Sequence, residues 1–144
     1  MKIAIGADHG GFILKEKLVK FLESKGHVVA DMGTHSEDSC DYPVFAEKVA
    51  RAISDKEFNM GVLICKSGIG MSMAANKIQG VRAALCLDVK TAQSSREHND
   101  ANVLCLAAAK TSSTLAQKIL NAWLSADFAG GRHARRVKQM GRLK

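Results

Sequence analysis

Short runs of apolar residues recur along this chain, and they alternate with longer segments in which apolar residues return every three or four positions. A continuous apolar run is typical of a parallel strand buried on both faces, whereas the longer spacing is typical of an amphipathic helix. Five runs predict strands: Lys2–Asp8, His27–Gly33, Met60–Cys65, Val81–Asp88 and Asn102–Ala108.

Helical spacing is clearest after the first, second and fifth of these runs. The apolar faces consist of Leu14, Leu18, Phe21 and Leu22, of Phe45, Val49, Ala52 and Ile53, and of Leu115, Ile119 and Trp123. Gly26 is placed to end the first helix, and Pro43 suits the first turn of the second. The alternation continues without a repeat or a linker. It predicts one doubly wound α/β domain over residues 1–144, with a five-stranded parallel sheet.

Size and composition narrow the class of protein. A chain of 144 residues is large enough to bury a core without help from a metal or a disulfide. No apolar run approaches the roughly 20 residues of a membrane span, and the first residues, MKIAIGAD, do not resemble a secretion signal. The four cysteines have no C-x-x-C spacing, so we expect free thiols and a cytoplasmic location.

The net charge of +7 is concentrated at the C-terminus. Arg132–Lys144 contains six basic residues and no acidic one, and the rest of the chain has fifteen basic and fourteen acidic residues. A basic arm that binds nucleic acid would have this charge, but this segment contains no aromatic residue for stacking on bases. A solvent-exposed basic helix is the plainer alternative.

Polar residues follow the predicted strands at the edge where doubly wound sheets bind ligands. Asp8 and His9 come after the first strand, and Cys65 precedes the glycine turn SGIG after the third. Backbone N–H groups in such a turn, at the start of a helix, can hold an anion and favour the thiolate form of a cysteine. These features alone leave two alternatives open: Cys65 is a packed cysteine at a strand end, and Asp8 caps the next helix.

Several familiar sites are excluded by spacing around Cys65. Lys66 and Ser67 lack the preceding glycine pattern of a phosphate-binding P-loop, and the dinucleotide pattern G-x-G-x-x-G fails at Met73. A cysteine phosphatase needs an arginine where this chain has Met71. Metal binding by His9, Asp8 and His98 is conceivable, but these residues show no recognised metal-ligand spacing.

Five segments in order along the chain resemble the ribose-5-phosphate isomerase B family, which includes galactose-6-phosphate isomerase subunits. They are GADHGG, DYP, CKSGIGMSMAANK, SREHNDANVL and GGRHARR. The resemblance implies a Rossmann-like fold, a dimer or tetramer, and cofactor-independent interconversion of aldose and ketose phosphates. A six-carbon substrate, galactose or allose 6-phosphate, and a non-catalytic sugar-phosphate-binding protein are the alternatives.

The resemblance also assigns roles to residues, in keeping with the base, proton carrier and anion-stabilising groups that an enediolate needs. Cys65 matches the base that removes the C2 proton, and Ser67, where the family usually has threonine, matches the carrier between O1 and O2. His98 matches the group that opens the sugar ring, with Asp8 on the ring hydroxyls. The remaining matched positions line the enediolate or the sugar: Tyr42, Gly68, Ile69, Gly70 and Asn99.

The basic C-terminal segment, residues 128–144, acquires a role through the same resemblance. Arg132, His133 and Arg136 match family cations that hold the substrate phosphate together with His9, so a phosphate clamp explains the charge better than a nucleic-acid arm. The resemblance further implies that sites lie between subunits. Cys40, Cys86 and Cys105 are expected to be structural.

The chain departs from the family pattern at two places. A family arginine after the fifth strand is absent, because Ala107–Ala109 is followed by Lys110. Lys66 stands where the family tends to have glycine. One of these lysines is a candidate for the missing cation; the alternative is that the phosphate is held without it.

Overall fold

The five apolar runs form a single parallel sheet in the computed structural model, which describes all 144 residues. The strand order is β2-β1-β3-β5-β4, and every neighbouring pair is parallel. The strands are β1 (Lys2–Ala7), β2 (Val28–Asp31), β3 (Met60–Cys65), β4 (Ala83–Leu85) and β5 (Val103–Ala107). The predicted doubly wound α/β fold with five parallel strands is therefore confirmed.

Helices cover both faces of the sheet. They are α1 (Phe12–Ser24), α2 (Tyr42–Ser54), α3 (Ile69–Ala75), α4 (Val89–Asn99), α5 (Ser113–Ser125) and α6 (Arg132–Met140). One core contains residues of α1, α4 and α5, including the fully buried Trp123, and the other contains residues of α2 and α3. Helix α6 has no buried residue and packs on α4 outside these layers. None of the helices has the length and apolar character needed to cross a bilayer.

The two outer strands are shorter than the apolar runs predicted. Strand β2 covers four residues and β4 covers three, because each lies at an edge of the sheet and pairs on one side only. Asp88, expected at the end of the fourth strand, instead caps α4: its Oδ1 accepts a hydrogen bond of 2.7 Å from the Thr91 N–H. The hydrogen bonds of Thr91 lower the pKa of Asp88.

Two edges of the sheet matter for the site. The carboxyl edge is where β1, β3 and β5 end, at Ala7, Cys65 and Ala107, and the amino edge is where they begin. A helix that connects parallel strands starts near the carboxyl edge and runs back to the amino edge. The start of α3, just after Cys65, and the end of α4, just before Val103, therefore lie at opposite edges.

Candidate active site

The carboxyl edge collects eight of the predicted site residues. They are Asp8, His9, Tyr42, Cys65, Ser67, Gly68, Ile69 and Gly70, and we call them the carboxyl-edge group. Backbone hydrogen bonds join the loops that carry them: Asp8 N–H donates to the Ile64 oxygen at 3.2 Å, and Ala108 N–H to the Cys65 oxygen at 2.9 Å. The ends of the three central strands are thus held together around Cys65.

Cys65 is the last residue of β3, and its side chain is 5% exposed. Its Sγ accepts a hydrogen bond of 3.1 Å from the N–H of Gly68, the N-cap residue immediately before α3. Gly68 has a φ of +73°, and a Cβ there would lie 2.4 Å from Leu85 Cδ1, so glycine is required for this turn. The sulfur thus has a backbone donor aimed at it.

The other buried cysteines are in a different environment. Burial raises the pKa of Cys105, and the neighbouring Cys65 and Cys86 add to that shift. Burial also raises the pKa of Cys86, which follows β4 by one residue, against the opposing effect of a hydrogen bond from Ser95. Both side chains are therefore kept as neutral thiols, which suits a structural role.

Ser67 and Tyr42 border the turn that follows Cys65. Ser67 is exposed, and its Oγ accepts a hydrogen bond of 3.2 Å from the Ile69 N–H, which leaves the hydroxyl proton free to be donated. The Tyr42 ring lies directly on Gly70, because a Cβ at Gly70 would be 2.7 Å from Tyr42 Cζ. Any larger residue at position 70 would displace this ring.

Asp8 and His9 follow β1 at the same edge of the sheet. Asp8 is buried, and its Oδ1 accepts hydrogen bonds from Gly10 N–H at 2.9 Å and Gly11 N–H at 3.1 Å. Oδ1 thus stabilises the turn before α1, but the N-cap of that helix is Gly11, so the alternative that Asp8 caps the helix is wrong. The other oxygen, Oδ2, makes no hydrogen bond within the protein. His9 Nδ1 accepts from the Cys40 N–H at 3.2 Å, so the neutral ring carries its proton on Nε2, as a donor.

The remaining predicted residues lie together elsewhere, at the amino edge. His98 and Asn99 end α4, and they border a cavity of about 350 Å³ with His133 and Arg136 of α6. The rings of His98 and His133 are stacked, with centroids 4.5 Å apart and an interplanar angle of 16°. We call these four residues and Arg132, which begins α6, the amino-edge group.

An ion-pair network fixes the end of α4. Asp100 follows His98 and Asn99 with a left-handed φ of +48°, and its two carboxylate oxygens accept hydrogen bonds of 2.9 Å from Arg82 and Arg96. Arg96 also donates to the Ala101 oxygen at 2.7 Å. The network lies directly beside the stacked histidines, and it holds their supporting backbone in one conformation.

The two groups of residues do not meet within one copy of the chain. Cys65 is level with Ala107, and β5 begins at Val103, so four strand steps of about 3.3 Å, about 13 Å in all, separate Cys65 from the edge where His98 lies. None of the carboxyl-edge group borders the His98 cavity. One copy therefore contains two half-sites at opposite edges.

The sequence profile of ribose/galactose isomerase matches residues 3–140. The chain belongs to this family. It is 47% identical to ribose-5-phosphate isomerase B of Escherichia coli over 95% of this chain and 92% of the relative. Among solved structures, ribose-5-phosphate isomerase B of Clostridium thermocellum is 50% identical, with a TM-score of 0.97, over 98% of this chain and 95% of that one.

A third relative carries a ligand. Ribose-5-phosphate isomerase B of Mycoplasma genitalium, solved with bound ribulose-5-phosphate, is 40% identical and has a TM-score of 0.93. The similarity covers 98% of this chain and 94% of that chain. Because the fold agrees along nearly the whole length, these proteins are similar to this chain in every element that carries a site residue.

Two features of the half-sites were missed by the sequence reasoning. One is Cys40, whose backbone N–H orients His9 and whose Sγ lies 3.8 Å from His9 Nδ1. The other is the Asp100 network. The Cys40–His9 and Arg82–Asp100 contacts have no spacing signal, because they join segments distant in sequence, whereas Arg96 and Asp100 are four residues apart, a spacing that could have indicated their ion pair. The structure contains no group of three His, Cys, Asp or Glu residues arranged to hold a metal ion.

Proposed function

We propose that this protein interconverts ribose 5-phosphate and ribulose 5-phosphate through an enediolate, as a cytoplasmic enzyme of the pentose phosphate route. The observation that carries the proposal is the nearly enclosed Cys65 thiol, which accepts a hydrogen bond from the Gly68 N–H in the turn that also carries the exposed Ser67. Residues 1–144 then act as one sugar-phosphate isomerase domain. Four unpaired cysteines suit the reducing compartment.

Isomerisation at this site needs one proton moved between carbons and one between oxygens. The Cys65 thiolate removes the C2 proton of the open aldose and later returns it to C1. Ser67 passes a proton from O2 to O1, since its hydroxyl both donates and accepts. The N–H groups at Gly68, Ile69 and Gly70, with Asn99, stabilise the negative charge of the enediolate.

The closed sugar must first be opened. His98 donates a proton to the ring oxygen as the C1–O bond breaks, and solvent water takes the proton of the anomeric hydroxyl, so the ring form becomes the aldehyde. Asp8 Oδ2, which has no partner within the protein, accepts from a sugar hydroxyl, and Tyr42 borders the sugar. His9, through its Nε2–H, and the guanidinium groups of Arg132 and Arg136 hold the phosphate.

We further propose that the working enzyme is a homodimer, or a homotetramer built from two such dimers. In each dimer the carboxyl-edge group of one copy faces the amino-edge group of the other. The separation of the half-sites within one copy supports this arrangement, since the chemistry needs both. A two-fold axis would create two complete sites in each dimer.

Exposed apolar surface is available at both edges for such a contact. At the carboxyl edge, Tyr42, Val44, Ile69 and Met73 are exposed, Met73 by 66%. At the amino edge, a cavity of about 580 Å³ is lined by apolar residues that include Ile78, Val81, Met140 and Leu143, and it shares Asn99 and Met140 with the His98 cavity. Exposed apolar groups of this size favour association.

Side-by-side assays on sugar phosphates test the proposed activity. Ribose 5-phosphate is expected to be converted to ribulose 5-phosphate with a kcat/KM well above that for galactose 6-phosphate or allose 6-phosphate. A preference for a six-carbon substrate would replace the proposed substrate but keep the reaction. Binding of these compounds without turnover of any of them would indicate a non-catalytic member of the family.

The missing family arginine leads to a prediction about Lys66. Its Cβ lies 3.3 Å from the point where Gly10 would carry a Cβ, and its carbonyl accepts from the Ala109 N–H at 3.0 Å. Lys66 thus lies between the His9 turn and the turn that leads to Lys110. We propose that Lys66 or Lys110 supplies the missing cation, and this packing favours Lys66.

We expect Lys66→Ala to raise KM for ribose 5-phosphate about tenfold or more and to leave kcat largely unchanged. A charge-assisted bond to phosphate contributes about 1.5–3 kcal/mol, or about one to two decades in affinity. Lys110→Ala tests the other candidate, and Lys118→Ala, on the exposed side of α5, is the matched control. Unchanged KM in both test variants would show that the phosphate is held without a lysine.

A further inference from the structure

His133 has a different environment from the two arginines beside it. Its ring does not extend from α6 toward open solvent but lies flat on the ring of His98, at a centroid distance of 4.5 Å. In a nearly parallel stack the ring nitrogens point outward along the edges, so the two rings make no hydrogen bond with each other. The two rings are therefore in face-to-face van der Waals contact.

The His98 side chain needs such a support. It lies in the last turn of a short helix and is exposed, and it makes no hydrogen bond to any protein group. The His133 backbone is itself fixed: the loop before α6 is tied to α4 by the bond from Ala129 N–H to the Glu97 oxygen at 3.0 Å, and His133 N–H donates to the Gly130 oxygen. One face of the His98 ring is therefore covered by a ring on an anchored helix.

The groups around His133 disfavour the protonated form of its ring. Partial burial lowers the pKa of His133, and the nearby His98, Arg132 and Arg136 lower it further. A neutral ring is a suitable surface for a neighbouring imidazole that gains and loses a proton.

We propose that His133 is a positioning residue for His98 rather than a phosphate ligand: its ring stacks on the His98 ring and holds it in the orientation needed to open the sugar. This inference rests on the proposed function, because it takes ring opening as the role of His98. Small errors in the position of a reacting group reduce rates strongly, so loss of the stack should lower turnover and leave phosphate binding intact.

Two substitutions separate stacking from phosphate binding. In His133→Ala, kcat for ribose 5-phosphate is expected to fall about tenfold or more, part of the ~10²–10⁴ that a positioned acid–base group supplies. KM should stay within about twofold to threefold. His133→Phe keeps a flat ring without nitrogens and should restore most of the kcat. With ribulose 5-phosphate, which is already open, both variants should be close to wild type.

A nuclear magnetic resonance measurement gives a second readout that does not depend on catalysis. The ring protons of His98 should move downfield in His133→Ala, as the ring current above them is lost, and return upfield in His133→Phe. If kcat is as low in His133→Phe as in His133→Ala, or if both variants raise KM in both directions, His133 is a phosphate ligand and the proposal is wrong.

Unchanged kcat in His133→Ala would also overturn the proposal. Because α6 contributes no buried residue to the core, neither substitution is expected to unfold the protein. The proposed function fails in a distinguishable way: a wild-type protein without isomerase activity would remove it, and the inference with it, whereas an active wild type with an unaffected His133→Ala would remove only the inference.

Discussion

Cys65→Ala is expected to lower turnover of ribose 5-phosphate by about 10²–10⁴, the usual contribution of a positioned general base. The Cys65 thiol accepts a hydrogen bond from the Gly68 N–H, in the turn that also carries the exposed Ser67, and alanine removes the thiol without adding bulk. The loss should appear in kcat, with KM little changed, because the phosphate contacts are made by other residues.

The matched control for this substitution is Cys86→Ala. Cys86 is also a buried cysteine near the carboxyl edge, and its raised pKa keeps it a neutral thiol. The Cys86→Ala variant should lose some stability, since a buried thiol is deleted, but its turnover should be unchanged. Circular dichroism would establish that both variants are folded. Near-normal turnover in folded Cys65→Ala would remove Cys65 from the role of base.

His98→Asn is expected to impair the conversion of ribose 5-phosphate by about 10²-fold or more, since the substrate arrives as a closed ring that has to be opened. Ribulose 5-phosphate cannot close to a furanose, so its isomerisation should suffer much less. Asparagine retains a polar side chain at the end of α4 and should not disturb the Asp100 network.

Measuring initial rates in both directions separates the two steps. His27→Asn is a suitable control, because His27 immediately precedes the outer strand β2 and its Nδ1 lies 3.3 Å from the Met1 amino group. It should leave both rates unchanged. Equal losses at the proton-transfer step in both directions would show that His98 takes part in isomerisation and not in ring opening.

The apolar pattern predicted the fold because the central strands are buried on both faces. Strand β3 ends at the predicted residue, Cys65, and the other two central strands are within one residue of prediction at each end. The glycine and proline signals also hold: Gly26 has a φ of +84° just beyond α1, and Pro43 lies in the first turn of α2. These signals are local, so a sequence carries them directly.

Helix α4 had no such signal, although it carries His98. It buries Ala92, Ser95 and Arg96, and two of these are polar, so no apolar stripe marks the face that packs on α5. Arg96 is accepted in this position because its Nη1 donates to Asp100 and to the Ala101 oxygen, although its buried Nε has no hydrogen-bond partner. Buried polar networks depend on groups that meet only after folding, and periodicity does not register them.

The sequence could predict only part of the division of the site into half-sites. The carboxyl-edge group follows from strand ends, and Cys65 and Asp8 lie where the rule for doubly wound sheets places them. The resemblance to a family joined His98 to Cys65, but their separation depends on the direction of α4 across the sheet. The stacking of His133 on His98 likewise arises from the packing of α6 on α4, which the basic composition of the segment does not reveal.

The most direct test of the account is the pairing of variants in dimers purified with two different affinity tags. If each site takes Cys65 from one copy and His98 from the other, a dimer of one Cys65→Ala copy and one His98→Asn copy has one intact site. It should show about half of the wild-type rate on ribose 5-phosphate. A dimer of one wild-type copy and one copy with both substitutions should have no intact site and be nearly inactive. The opposite result, activity in the second dimer and none in the first, would show that each site lies within one copy and would contradict the account.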